Sequence, residues 1–515
     1  MSSFSIVTFG CQMNEHDSSR MAEILRAAGY EEAPYPEAAS IVVLNTCSIR
    51  DKAEQKLRSE VGRLAMRKQH QPELVIVVAG CVGQQEGKRL LKAAPELDLV
   101  IGPDNIAELP GLLVDIEQGG VKRSVTEFDL NAPRFLSANP EFSQVVPSTY
   151  VTIMKGCDER CSFCIVPYTR GAERYRSSAE IIAEIQRLVA AGVREVTLLG
   201  QTVNSYRDPD ELLPKAPEIG RYDWGHTTRK IAEQDESEFA ALLYAIAERA
   251  PGLLRLRYTS PHPRHLTRAL IEAHRRLPIL VKHLHLPVQS GSNQLLKRMI
   301  RRYTREEYVE RVSALRDAVP GLALSTDLIV GFPTETREQF AETLSLVEQL
   351  RFPSLFAFKY SPRPGTPSLK LGDDVPETEK STRLEQLFAI HDPMRHAHLA
   401  SLMGTTQEVL VEGRKKDGAY TGRTVRNEIV HLGARADITG QLVQVRIALS
   451  FKNSLGAELV DEALRISVNE LPRVASHADD ANLRPEGTEN HGSGELIPAP
   501  VRRVDVSSKR QLPVI

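Results

Sequence analysis

Three short β-branched runs near the start of the chain, 4–9, 41–44 and 74–79, each close on a turn and then a cysteine: Gly10-Cys11, Asn45-Thr46-Cys47 and Gly80-Cys81. Short, apolar runs bounded by turn residues read as strands buried on both faces of a parallel sheet. Helical stretches at 18–28 and 52–68 lie between them, and 97–101 is a candidate fourth strand. The expected fold of residues 1–132 is an open parallel α/β sheet with right-handed crossovers. All strand C-termini of such a sheet share one edge. Cysteines 36 and 34 positions apart, about one strand–helix unit each, can therefore converge there. Three converging thiolates suggest a metal cluster with one open corner. The bland alternative is three small buried core residues.

The other three of the six cysteines share one loop, Gly156-Cys157-Asp158-Glu159-Arg160-Cys161-Ser162-Phe163-Cys164. Thiolates at this spacing can hold three irons of a [4Fe–4S] cube and leave the fourth without a protein ligand. An open iron can chelate the amino and carboxylate groups of S-adenosylmethionine (SAM), whose reductive cleavage yields a 5′-deoxyadenosyl radical. The alternative is a structural zinc with a fourth ligand from His262, His265, His283 or His285. Phe163 before the third cysteine, and the barrel that follows, count against zinc.

Residues 133–147 are rich in Pro, Ser and Asn and read as a linker. Over 148–385 strand–helix alternation recurs six times, with candidate strands at 150–154, 195–199, 254–258, 283–287, 322–330 and 355–360. That predicts a partial (β/α)6 barrel with its site at the strand C-termini. The charged insertion 208–237 reads as a surface loop. Five short runs with Gly and Asn turns, 406–411, 420–425, 428–432, 442–448 and 457–460, predict a small β-barrel over 404–466, a type that often binds RNA. The tail, 467–515, lacks apolar periodicity and is expected to be disordered. No run is long and apolar enough to span a membrane, and the N-terminus has no secretion signal, so the chain is expected in the cytoplasm. A formal net charge of −2 leaves any RNA contact to local basic patches.

Three N-terminal stretches, 8–18, 45–50 and 79–81, resemble the motifs of the radical-SAM methylthiotransferases. So does the loop 156–164 followed by Ile165-Val166-Pro167-Tyr168-Thr169-Arg170-Gly171. The 404–466 barrel is similar to a TRAM domain. Gln12-Met13-Asn14, the stretch 199–206 and Tyr258-Thr259-Ser260-Pro261-His262-Pro263 look like the MiaB-type tRNA branch, although Thr202 stands where that branch is expected to carry Asn.

The resemblance implies methylthiolation at C2 of N6-isopentenyladenosine 37 in the tRNA anticodon loop. SAM would serve as methyl donor and radical source. Two [4Fe–4S] clusters are implied, an auxiliary one on Cys11, Cys47 and Cys81 and the radical-SAM one on Cys157, Cys161 and Cys164. An electron donor, not identified by the sequence, is required, and the chain is expected to act as a monomer. A ribosomal protein or threonylcarbamoyl-adenosine tRNA are the alternative substrates; a non-catalytic iron–sulfur or zinc RNA-binding protein is the alternative class. Gln201, Asn204, Gln289, Ser290 and Asp327 end barrel strands and are candidate SAM contacts, or caps and loop braces. Arg160, Arg170, Arg174 and Arg176, and separately Arg414, Lys415, Lys416, Arg423 and Arg426, are candidate grips for RNA phosphates, or solvated charged faces.

Overall fold

The structure is a computed structural model that describes residues 2–49, 51–131, 133–142, 146–214, 216 and 236–467. Its first unit is built from β1 (Ser3–Phe9), α1 (Gln12–Ala27), β2 (Glu31–Glu32), β3 (Ile41–Thr46), α2 (Asp51–His70) and β4 (Val75–Ala79). It continues through α3 (Cys81–Glu86), α4 (Lys88–Ala93), β5 (Leu99–Ile101), α5 (Leu109–Glu117) and β6 (Arg123–Val125). The strands form one parallel sheet in the order β2-β1-β3-β4-β5-β6. Alternate side chains serve opposite faces. Ile41, Val43, Val77 and Leu99 pack with Met21 and Leu25 of α1, whereas Val42, Leu44, Ile76 and Val78 pack with Leu57, Val61 and Leu64 of α2. Each such fully buried aliphatic contributes roughly 1.5–3 kcal/mol.

Helix α1 begins six residues earlier than its apolar pattern predicts. Its buried positions include Asn14, His16, Asp17, Arg20 and Glu23, which do not register as an apolar stripe. They are buried because that side of the helix meets the second unit: Asp17 pairs with Arg170, and His16 lies against the Thr152 hydroxyl. The linker is likewise anchored. Ala138 is buried and donates its N–H to Glu184, and Asn139 donates its own to Glu23.

The second unit contains β7 (Ser148–Thr152), β8 (Met154–Lys155), α6 (Val166–Thr169), β9 (Arg174–Tyr175), α7 (Ser178–Ala190), β10 (Glu195–Leu199), α8 (Glu238–Arg249) and β11 (Arg255–Tyr258). After it come α9 (Arg268–Arg276), β12 (His283–His285), α10 (Asn293–Arg298), α11 (Arg305–Ala318), β13 (Ala323–Val330), α12 (Arg337–Leu350) and β14 (Ser354–Lys359). Strands β7, β10 and β11 form one parallel sheet and β12, β13 and β14 another. A single Leu256–Leu280 bridge joins them into the six-strand partial barrel the alternation predicts. The short β8–β9 pair closes the base of the cysteine loop. Of the 208–237 insertion, Asp208 is fixed by Ser178 and Leu212, and most of the remainder lies outside the described residues.

Helix α13 (Glu377–Ser401) leads to β15 (Thr406–Arg414), β16 (Tyr420–Thr424), β17 (Ile429–Leu432), β18 (Leu442–Ser450) and β19 (Leu455–Leu459), which close into a barrel in the order β15-β16-β17-β19-β18. Its core, including Val409, Val430, Val445 and Leu455, is capped by Leu399 and Leu402 of the α13 end. Arg255 and Arg257 of β11 donate to backbone carbonyls of Glu408, Arg423 and Thr424, so the barrel docks on the second unit. The tail beyond Ser467, expected to be disordered, lies outside the described residues. No helix among the described residues is long and apolar enough to cross a membrane.

Candidate active site

Strands β1, β3 and β4 are neighbours in the sheet, so Cys11, Cys47 and Cys81 leave three adjacent strand ends on one edge. Cys11 is the N-cap of α1 and Cys81 the first residue of α3. Helix N-termini favour thiolate, which is both the nucleophile and the metal ligand. A hydrogen bond from the Cys47 thiol brings the Cys11 pKa down to about 6, and the same bond, with burial, pushes Cys47 up. Burial also raises Cys81, against the opposing charge of Arg170.

Two glycines make the close approach possible. Gly10 has φ +145° and a Cβ there would lie 2.3 Å from the Cys47 Cβ; Gly80 has φ +87° and a Cβ there would lie 2.3 Å from Asn45 Oδ1. Asn45 is the internal brace. It accepts from Asn14 Nδ2 (2.8 Å) and donates to the Asn14 carbonyl (2.8 Å) and the Ser18 hydroxyl (2.9 Å), tying the start of α1 to the end of β3. Asn14 Oδ1 in turn accepts from Cys11 Sγ at 3.4 Å. Asn14 and Asn45 are fully buried, and their bracing role is missed when they are read only as part of turn motifs.

The second trio leaves the barrel after β8. Gly156 is at φ +80° with the Ala172 carbonyl where a Cβ would stand, so only glycine fits beside the returning chain. Cys157 Sγ lies 2.9 Å from the Thr202 hydroxyl, and burial pushes its pKa up to about 12 despite that bond. Cys161 Sγ accepts from Arg301 Nη1 at 3.3 Å, and burial raises Cys164 as well. These thiols shed their protons when a metal binds. Among the described residues, neither trio has its three sulfurs all within 4.8 Å of one another. Each trio supplies three thiolates, the donor set that a [4Fe–4S] cube with one open iron would take.

The candidate SAM contacts divide by what their side chains already do. Both amide atoms of Gln201 are buried without a hydrogen-bond partner in the protein, which leaves them open to a ligand. Gln289 sits at φ +74°, its backbone bridging to Asp327 and Ile329. Asp327 is partly exposed and meets His285 Nε2 at 3.3 Å. Asn204, by contrast, is engaged twice by the His262 backbone, and Ser290 by Thr343 and the Ser292 N–H. These two brace loops.

The structure corrects the reading of the arginines after the loop. Arg170, Arg174 and Arg176 are buried on carboxylates, Arg170 on Asp17, Arg174 on Asp104 and Asp129, and Arg176 on Glu184. Arg170 and Arg174 join the first and second units, Arg176 pairs within the second, and none of the three presents a phosphate grip. Of that stretch only Arg160 is exposed. Arg414, Lys415 and Lys416, at the β15–β16 turn, are also exposed.

Glu159, His262 and His265 place their ligand atoms within 4.8 Å of one another. The Arg264 N–H donates to His262 Nδ1, which puts that ring's proton on Nε2, and Arg264 and Arg302 both face Glu159. His265 Nε2 bonds the carboxylate at 2.9 Å. The group latches the cysteine loop to the segment after β11; its proton placement and flanking charges disfavour a cation.

Comparison with known proteins agrees with this geometry. The Radical SAM superfamily matches residues 151–347, the TRAM domain 400–460, and a family described as Uncharacterized protein family UPF0004 matches 3–102. A tRNA-2-methylthio-N(6)-dimethylallyladenosine synthase of Sorangium cellulosum (strain So ce56) is 59% identical, over 90% of this chain and 94% of its own length. The chain belongs to that synthase family. It is therefore a radical-SAM enzyme of the methylthiotransferase type. Synthases with the same name from Geobacter metallireducens and Methylococcus capsulatus are 44% and 43% identical, over 88% and 89% of this chain and 97% and 95% of theirs. The synthase family thus spans all three units, and the latch, the asparagine brace and the buried arginines described above all lie within matched residues.

Proposed function

We propose that this enzyme adds a methylthio group at C2 of N6-isopentenyladenosine 37 in tRNA, using SAM both as methyl donor and as radical source. Two [4Fe–4S] clusters serve the reaction, one on Cys157, Cys161 and Cys164 and an auxiliary one on Cys11, Cys47 and Cys81. The observation that best supports this reading is that the segment following the second trio reaches the first: Arg170, six residues beyond Cys164, hydrogen-bonds Cys81 at 3.3 Å. The relatives' shared name points to the same substrate.

A C–H on an aromatic ring carbon is not acidic enough for base chemistry, and the open-iron cluster supplies the radical route. The protein's own part is to orient and to exclude water. Gln201, Gln289 and Asp327 would contact SAM, with Asn204 and Ser290 holding their loops. Phe356 and Phe358 stay exposed on β14, directly across from Asp327 and Ile329, so an apolar wall continues from the strand that carries Asp327. Burying the isopentenyl group there favours the modified base, and a flipped or unstacked adenosine can reach it. The units at 1–132, 148–385 and 404–466 serve as auxiliary-cluster, radical and RNA-docking domains. The enzyme works in the cytoplasm as a monomer with a separate electron donor.

The test is mass spectrometry of tRNA nucleosides from a deletion strain. It should retain isopentenyladenosine and lose its methylthio form, and the purified protein should release methionine and 5′-deoxyadenosine from SAM on reduction. Unchanged nucleosides together with a lost ribosomal-protein modification would overturn the substrate.

A further inference from the structure

The α6 turn, Val166–Thr169, begins two residues after Cys164 and packs against α3, whose first residue is Cys81. Arg170 caps it and is fully enclosed. Its guanidinium divides between two partners of the other unit, Nη2 on Asp17 Oδ2 at 2.6 Å and Nε on Cys81 Sγ at 3.3 Å. A simple clasp between domains would need only the carboxylate. Arg301 does the same for the other trio, donating to Cys161 while its remaining nitrogens hold Tyr303 and the Pro287 carbonyl. Each cysteine site thus has one buried arginine on one sulfur.

Hydrogen bonds and positive charge at a ligating sulfur stabilise the more negative, reduced state of an iron–sulfur cluster and so raise its potential. On the reading that Cys11, Cys47 and Cys81 hold a cluster, we propose that Arg170 is a positioning residue that couples the two centres: carried by the radical loop, it holds Cys81 in place and raises the potential of the auxiliary centre. Docking of the second unit is then what sets the auxiliary centre to its working state, because the charge arrives with that unit. Asp17 orients the guanidinium so that Nε faces sulfur.

The full chain carrying Cys157→Ala, Cys161→Ala and Cys164→Ala isolates the auxiliary centre. After anaerobic reconstitution it should hold about four irons, and failure to hold any overturns the cluster reading and the proposal with it. With iron present, the midpoint potential is followed by electron paramagnetic resonance during redox titration. Arg170→Gln should lower it, and Arg170→Lys, which keeps charge but loses the fixed Nε–H, should lower it less. In a Cys47→Ala chain the potential of the remaining radical-loop centre should not move with either substitution. If Arg170→Gln does not take up iron, Arg170→Lys decides. An auxiliary potential equal to that of the parent chain in the variants that load would overturn the proposal and leave Arg170 as a domain clasp.

Discussion

Asn45 shows how a single polar residue sets a cysteine's position. Its amide holds Asn14 and Ser18, and Asn14 holds Cys11. Asn45→Ala leaves a buried amide donor on Asn14 unpaired, which costs about 1–3 kcal/mol. Urea unfolding should show that loss, and iron analysis should show the auxiliary cluster depleted while the radical-loop cluster remains. Full auxiliary iron in that variant would remove Asn45 from the site. Gly10→Ala is expected to be harsher still, because the new Cβ would collide with Cys47 in a backbone conformation that L-residues rarely adopt. The cysteines themselves were readable as residue types at repeat positions. Asn14 and Asn45 were not, because a turn asparagine and a buried brace look identical until the strand order makes them neighbours. The three arginines after the loop failed for a related reason: charge runs suggest solvent, and only the packed partner carboxylates show otherwise.

Among the elements, strands were the most legible, since β-branched runs bounded by Gly and Asn are buried whatever they pack against. Helix α1 was the least, because its inner face is polar and matched to Arg170 and Thr152 of the second unit. The two-residue edge strand β2 is exposed and carries no apolar signal. The C-terminal barrel is held to α13 through His398, whose Nε2 meets Glu428 Oε1 at 2.9 Å. Burial raises the Glu428 carboxyl, but hydrogen bonds from His398 and Thr424 and the charge of His398 outweigh it and hold the pKa below the usual range. A depressed carboxylate stabilises the fold above its unfolded pKa, and the contribution is lost as pH falls through the folded value. The stability gap between the parent and Glu428→Gln should therefore be widest near neutrality and close below about pH 4; a gap independent of pH would show the pair to be inert. At the tip of the same barrel, Lys415 and Lys416 are exposed beside Arg414, which is also exposed while bonding the Gly418 carbonyl and lying over Tyr420. Replacing all three with Glu should weaken tRNA binding and flatten its salt dependence by roughly 0.7–0.9 per lost contact. An unchanged slope would place the RNA elsewhere.

For the whole molecule, the two trios predict divisible chemistry. The reconstituted chain should carry about eight irons as two four-iron clusters. Cys161→Ala should abolish SAM cleavage, whereas Cys47→Ala should leave cleavage measurable and stop methylthio transfer. Normal product from the Cys47 variant would end the auxiliary role. Truncation after Ser467 should keep both clusters and solubility, since the segment beyond it lacks the apolar content for a core; insoluble protein would show that the segment packs on the body. Arg170 gives the architecture an order in time. On the proposed reading, the three auxiliary ligands are all synthesised by residue 81, whereas the arginine bonded to the last of them comes 89 residues later, with the radical loop. The first sheet can therefore complete its cysteine edge while the second unit is still being made, and once α6 seats against α3 the way in narrows. A cluster on that edge, as proposed, would be filled before the halves close, or the halves would have to part again to receive it.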